Sequence, residues 1–125
     1  MQAALEHANI TVSDPDATAA LLGRLFGWTV RWSGPALNGG RSVHVGTDAQ
    51  YLALYAPQNP DAAAGSKTAL RNLNHIGVTV DDLDAVEARI LAEGFTTTNH
   101  DDYEPGRRYY FDDHDGIEWE VVSYA

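Results

Sequence analysis

Leu73-Asn74-His75-Ile76-Gly77-Val78-Thr79-Val80 reads as a strand with two unlike faces. Successive side chains of a strand point to opposite sides, so Ile76, Val78 and Val80 share one face and His75, Gly77 and Thr79 the other. The chain carries the same strand once before, at Glu6-His7-Ala8-Asn9-Ile10-Thr11-Val12. There His7, Asn9 and Thr11 oppose Ala8, Ile10 and Val12. An imidazole opening a polar strand face is either a ligand or a surface group, and one strand alone does not decide between them.

The likeness extends beyond the strands. At an offset of 68 residues His7 falls on His75, Thr11 on Thr79, Val12 on Val80, Asp14 on Asp82, Asp16 on Asp84, Ala17 on Ala85 and Ala20 on Ala88. One deletion later, Gly27-Trp28 falls on Gly94-Phe95. Each strand runs into a helix start. Ser13 or Asp14 can cap, Pro15 suits the first turn and Asp16 complements the helix dipole. Ala17 to Phe26 places Ala20, Leu21, Leu22, Leu25 and Phe26 at helical spacing, and Gly27 stops the helix. Strands are expected at Trp28–Trp32, Ser42–Val45 and Tyr51–Tyr55. The stretch Ala56 to Ser66, with Pro57, Pro60, an alanine run and Gly65, reads as a linker. In the second round a helix is expected from Ala85 to Glu93, followed by strands at Phe95–Thr98, Arg107–Asp112 and Ile117–Ser123.

Strand, helix and three strands, written twice, is a two-fold internal repeat. The expected fold is α+β, built as tandem βαβββ modules. The expected organisation is one domain, residues 1–125, with a first module at 1–56, a linker at 57–72 and a second module at 73–125.

Composition narrows the function. A chain of 125 residues with 44% hydrophobic content is long enough to bury a core. It has no apolar run of bilayer length and no basic-then-apolar leader at its start, so a cytoplasmic location and no membrane partner are expected. Eighteen acidic against eight basic side chains give a net charge of −10, which disfavours nucleic acid as a partner. With no cysteine, disulfides and thiolate metal sites are excluded, and any metal must be held by His, Asp or Glu.

A tandem βαβββ repeat with a histidine opening each half resembles the vicinal oxygen chelate superfamily. That group includes glyoxalase I, extradiol ring-cleaving dioxygenases, fosfomycin resistance enzymes and bleomycin resistance proteins. The strongest local match is Tyr110-Phe111-Asp112-Asp113-His114-Asp115-Gly116-Ile117-Glu118-Trp119-Glu120. It is similar to the family's closing hairpin, an aromatic pair and an Asp-Pro-Asp-Gly turn before a strand bearing a ligand glutamate. The resemblance implies that the modules form an open, mixed, barrel-like sheet with helices outside, and that the protein is a homodimer. It also implies a metal held by His7, His75 and Glu120, the last lying four places after Gly116 as the family's glutamate does. Two imidazoles and one carboxylate suit Fe(II) or Mn(II), with zinc or nickel as further candidates. No organic cofactor is implied.

The chain departs from the family's patterns in specific places. An offset of 67 puts Ala53 beneath Glu120, so the fourth protein ligand of glyoxalase I is replaced by a side chain that cannot coordinate. Against the extradiol pattern, His100 lies too far upstream, Tyr109 replaces an aliphatic residue or Phe, and His114 replaces the turn proline. Other residues bear on the chemistry. Glu118 shares a strand face with Glu120 by alternation and is a candidate base or competing ligand. His44, opposite Val43 and Val45, is a candidate acid or base, and Tyr110 a candidate donor to an oxyanion. Arg107 and Arg108, after a Tyr-Glu-Pro-Gly turn, read as surface residues, and Asp101-Asp102 as a solvated loop.

The leading expectation is a metal enzyme that chelates neighbouring oxygens of a small substrate, an extradiol-type dioxygenase first and a glyoxalase-like lyase or isomerase second. A non-catalytic drug-binding protein of the bleomycin resistance type is the competing class, and the acidic charge and three tryptophans are compatible with it. A fosfomycin-type transferase ranks lower, because it should offer basic anchors for a phosphonate and Lys67 is the only lysine.

Overall fold

The computed structural model describes residues 1–61, 65–103 and 106–125. The alanine run of the expected linker and the Glu104-Pro105 pair of the expected turn lie outside the described residues. The chain divides into two compact units, Met1–Ala62 and Ala63–Ala125. Each is one βαβββ module with its own mixed, four-stranded, open sheet.

The first unit runs β1 (His7–Thr11), α1 (Pro15–Phe26), β2 (Thr29–Pro35), a 3₁₀ turn at Leu37–Gly39, β3 (Arg41–Gly46) and β4 (Tyr51–Ala56). The helix start follows the expected chemistry. Asp14 is extended, its carboxylate accepts from the Ala17 amide at 3.1 Å, and Pro15 occupies the first turn. Gly27 closes the helix at φ 72°, a conformation that a side chain makes costly. The sheet order is β1-β4-β3-β2, with β1 parallel to β4 and the remaining pairs antiparallel. One sheet face buries Val43, Val45 and Leu54 with Leu21, Leu22 and Leu25 of α1. The other carries His7, Asn9, His44, Tyr51 and Ala53.

The second unit repeats this as β5 (Ile76–Thr79), α2 (Leu83–Ala92), β6 (Thr98–Tyr103), β7 (Gly106–Asp112) and β8 (Glu118–Ser123), in the order β5-β8-β7-β6. Asp82 caps α2 through the Ala85 amide at 3.0 Å, the counterpart of Asp14 and Ala17. Trp119, Tyr109, Phe111, Val121 and Ile90 fill the core, each at most 2% exposed. The Tyr109 hydroxyl donates to the Leu83 carbonyl at 2.9 Å, and burial holds the phenol well above its usual pKa.

The closing hairpin turns on Asp113, a buried carboxylate that accepts from the amides of Asp115 and Ile117 and from the Trp119 indole at 2.9–3.0 Å. Three donors satisfied by one side chain explain why an Asp stands before a turn that ends on Gly116, at φ 79°.

Two expectations for the second unit are corrected. The strand expected at Phe95–Thr98 lies later, at Thr98–Tyr103. Gly94 at φ 95° prolongs the turn, Phe95 packs at 5.8 Å from Phe111, and a bulge marked by Asn99 at φ 53° sets the register. The supposed loop Asp101-Asp102 is part of β6, opposite Arg108 and Arg107, where opposite charges favour pairing.

Candidate metal centre

Strand register tests the sequence alignment of the two modules directly. In the first unit Ala53 pairs with Asn9 on one side and His44 on the other. In the second Glu120 pairs with Gly77 and Tyr110. Ala53 and Glu120 are therefore equivalent positions, as are His44 and Tyr110. The first module holds no carboxylate there, and Ala53 is 3% exposed.

The second unit brings His75 and Glu120 together. His75 Nε2 lies 3.9 Å from Glu120 Oε1. The other ring nitrogen, Nδ1, is 2.7 Å from the side-chain oxygen of Asn74. In that contact Nδ1 donates to the Asn74 oxygen, and Nε2 is turned toward Glu120. Gly77 keeps the space beside the carboxylate narrow but open, since a Cβ there would stand 3.5 Å from Oε1. The second carboxylate oxygen is held separately: Tyr110 donates to Oε2 at 2.5 Å, and Arg108 Nη1 stands 3.5 Å from it. The Tyr110 ring meets His75 edge-on at 5.8 Å. One oxygen thus faces the imidazole, and the other is tied to donors on β7.

His7 repeats the arrangement in the first unit. Its Nδ1 is 2.9 Å from Glu6 Oε1, so Glu6 takes the place that Asn74 has beside His75. The imidazole in turn holds Glu6 below the usual carboxylate range. The His7 ring stacks on Tyr51 at 4.9 Å, Tyr51 on His44 at 4.8 Å, and His44 meets Trp32 at 5.0 Å. Arg31 lies over the Tyr51 ring at 4.3 Å. His44 is thus part of a row of rings across four strands. Burial, followed by the nearby charges of His7 and Arg31, lowers its pKa, so that it stays neutral further into acid.

Other candidates are placed elsewhere. Glu118 is turned to Lys67, whose ammonium lies 3.7 Å from it and 3.6 Å from Asp112. His100 is 2.6 Å from Glu87 of α2, with Thr97 donating to the same oxygen at 2.5 Å. His100 also packs at 5.7 Å from the core residue Tyr109, which puts it on the helix side of the sheet, opposite Tyr110 and Glu120. Among the described residues of either unit, no group of three or more His, Asp or Glu side chains is gathered as a metal site by itself. His75 and Glu120 are the two side chains of the expected ligand set that stand together, an imidazole nitrogen beside a carboxylate oxygen whose partner oxygen is held by Tyr110.

Arg108 corrects the sequence reading. Its side chain is 12% exposed, whereas the neighbouring Arg107 is 52% exposed and paired to Asp84 at 2.9 Å. Alternation along β7 could have flagged this, because Arg108 shares a face with Tyr110 and Arg107 does not. Asn74 and Glu6 were also missed. The signal available was a side-chain acceptor immediately before each histidine, of which His7 opens β1 and His75 directly precedes β5.

No helix among the described residues is long and apolar enough to cross a membrane. A family model described as the glyoxalase/bleomycin resistance protein/dioxygenase superfamily matches residues 4–121. No curated protein is matched. Among solved structures, a glyoxylase/bleomycin resistance protein/dioxygenase domain from Frankia sp. EAN1pec aligns with a TM-score of 0.83 at 20% identity, covering 98% of each chain. TioX from Micromonospora sp. ML1 aligns with a TM-score of 0.71 at 21% identity, covering 98% of this chain and all of that one. The fosfomycin resistance protein FosX from Listeria monocytogenes, complexed with Mn(II) and sulfate, aligns with a TM-score of 0.75 at 21% identity over 98% and 93% of the chains. At these identities the likeness is one of fold.

Proposed function

The chain belongs to the glyoxalase/bleomycin resistance protein/dioxygenase superfamily, and from that premise we propose that it is a divalent-metal enzyme acting on a small substrate with two neighbouring oxygens. The supporting observation is the pairing of His75 Nε2 with Glu120 Oε1 at 3.9 Å, with Asn74 orienting the imidazole and Tyr110 the carboxylate. His7 joins them as the further ligand on the family resemblance, with Glu6 orienting it as Asn74 orients His75. Two imidazoles and a carboxylate favour Mn(II) or Fe(II), and FosX, which shares the fold, was solved with Mn(II). A homodimer is the assembly we propose with this reading.

An ion held there supplies Lewis acidity toward the substrate's two oxygens. The chain's own groups do the rest. Asn74 and Glu6 fix the histidine tautomers. Tyr110, hydrogen-bonded to Glu120, is placed to give or share a proton beside the ligand carboxylate. Glu118 is turned to Lys67, whose ammonium lies 3.7 Å from it, and has no part as base or ligand in this reading.

Of the two reaction types, addition or proton transfer is favoured over ring cleavage. The extradiol pattern would have His100 near the centre, and His100 is bonded to Glu87 on the opposite side of the sheet. Anaerobic and aerobic assays of the metal-loaded protein separate the two. Turnover of a hemithioacetal without oxygen supports the lyase or isomerase reading, and oxygen uptake with a catechol overturns it.

The row His7–Tyr51–His44–Trp32 favours a second reading, a binding protein for a planar ligand. Trp32 is 49% exposed, and the ring edges offer a surface for edge-to-face contact. Planar-ligand binding unaffected by metal removal, with no turnover, would support that class instead.

A further inference from the structure

We propose that Lys67 is a positioning residue of the metal centre: residues 66–72, inside the expected linker, set the direction of the Asn74 side chain and through it the ring of His75. The inference rests on the metal reading of His75 and Glu120.

Lys67 is attached to the second unit at two points. Its ammonium lies 3.6 Å from Asp112 and 3.7 Å from Glu118. Those carboxylates stand opposite each other where β7 pairs with β8, which like charges disfavour without a cation to meet them. Its backbone carbonyl accepts from the Asn74 side-chain amide at 3.3 Å. The residues around it are folded onto themselves. Asn72 Nδ2 donates to the Ser66 carbonyl at 2.9 Å, and the Ala69 amide donates to the same oxygen at 3.0 Å. Ser66 Oγ bonds Thr68 Oγ1 at 2.8 Å. Arg71 adopts φ 75°, which is costly for a residue with a side chain, so contacts hold this shape and local preference does not.

The chemistry of an amide side chain makes the attachment directional. Asn74 has one end that only donates and one that only accepts. The carbonyl oxygen of Lys67 takes the donating end, which leaves the Asn74 oxygen facing His75 Nδ1 at 2.7 Å. The reversed amide would set oxygen against oxygen at Lys67. It would also offer His75 a donor, driving the ring proton to Nε2 and blocking that nitrogen as a ligand. With the amide as it stands Nδ1 donates, and Nε2 is the nitrogen available to an ion beside Glu120 Oε1. Lys67 thus acts on the site through a backbone atom, and its side chain matters because it holds that atom in place.

The test pairs calorimetric titration of the full chain with Mn(II) and NMR nitrogen shifts of the metal-free His75 ring at about pH 9, where an imidazole is neutral. For Lys67→Met, Mn(II) affinity is expected to fall about fivefold, less than the loss expected when Asn74 itself is removed. The ring proton should spread from Nδ1 to both nitrogens. The sign of the first change is diagnostic, because removing a cation near a bound dication would by charge alone tighten binding. Asn72→Ala, which changes no charge and opens the fold of residues 66–72, should move both readouts the same way. Lys67→Arg should restore both to near wild type. Mn(II) affinity equal to or tighter than wild type in Lys67→Met, or an unchanged ring proton in that variant, overturns the proposal. Should Lys67→Met lose its cooperative melt, Asn72→Ala carries the test by the same two criteria. Wild-type protein that binds no Mn(II), or binds it equally well as Glu120→Gln, fails the metal reading itself and the inference with it. That failure is distinguishable because it appears before any variant of residues 66–72 is compared.

Discussion

His75 Nε2 stands 3.9 Å from Glu120 Oε1, while the far side of each group is tied down, the imidazole by Asn74 and the carboxylate by Tyr110. The two potential ligands are therefore oriented before anything binds between them. Preorganisation of this kind is what a metal site needs from its outer contacts, and it makes those contacts testable.

Asn74→Ala removes the acceptor that fixes the His75 tautomer. Mn(II) affinity is expected to fall about tenfold, with the melting temperature nearly unchanged because Asn74 is exposed. Calorimetric titration beside a thermal melt checks both.

Tyr110→Phe removes the donor to Glu120 Oε2 and leaves the ring that meets His75. Metal affinity is expected to drop by about an order of magnitude. An unchanged affinity would assign Tyr110 to packing.

Asp113→Ala orphans two amides and the indole N–H of Trp119, a side chain 1% exposed. The expected cost is about 2–3 kcal/mol in urea unfolding, from donors buried without an acceptor. Asp113→Asn should recover part of it.

The Glu87 carboxylate is held below its usual 4.5, first by the His100 hydrogen bond and then by Thr97. A carboxylate with a depressed folded pKa contributes stability above 4.5 that is lost as pH falls through the folded value. Thermal melts of wild type should therefore decline more steeply on that acid limb than those of Glu87→Gln. Parallel curves would contradict the assignment.

Much of this was legible in the sequence because the repeat encodes it twice. The Asp14 and Asp82 caps sit where the offset alignment put them, and alternation alone set His75 and Glu120 on polar faces. The equivalence of Ala53 with Glu120 survives in the register of both sheets. Contacts between distant positions were not legible. Nothing local in Glu118 reveals that Lys67 will offset it, nor in His100 that a bulge will hand it to Glu87. Arg107 and Arg108 look alike as letters, and the strand places one outward toward Asp84 and the other, half-buried, beside Glu120.

The central claim is the metal centre, and metal content tests it most directly. Wild-type protein reconstituted with Mn(II) or Fe(II), desalted and assayed by elemental analysis, is expected to retain about one ion per chain. His7→Ala, His75→Ala and Glu120→Gln should each lose affinity by at least about tenfold while still folding. Stoichiometric metal that survives all three substitutions, or no retained metal in wild type, would contradict the account.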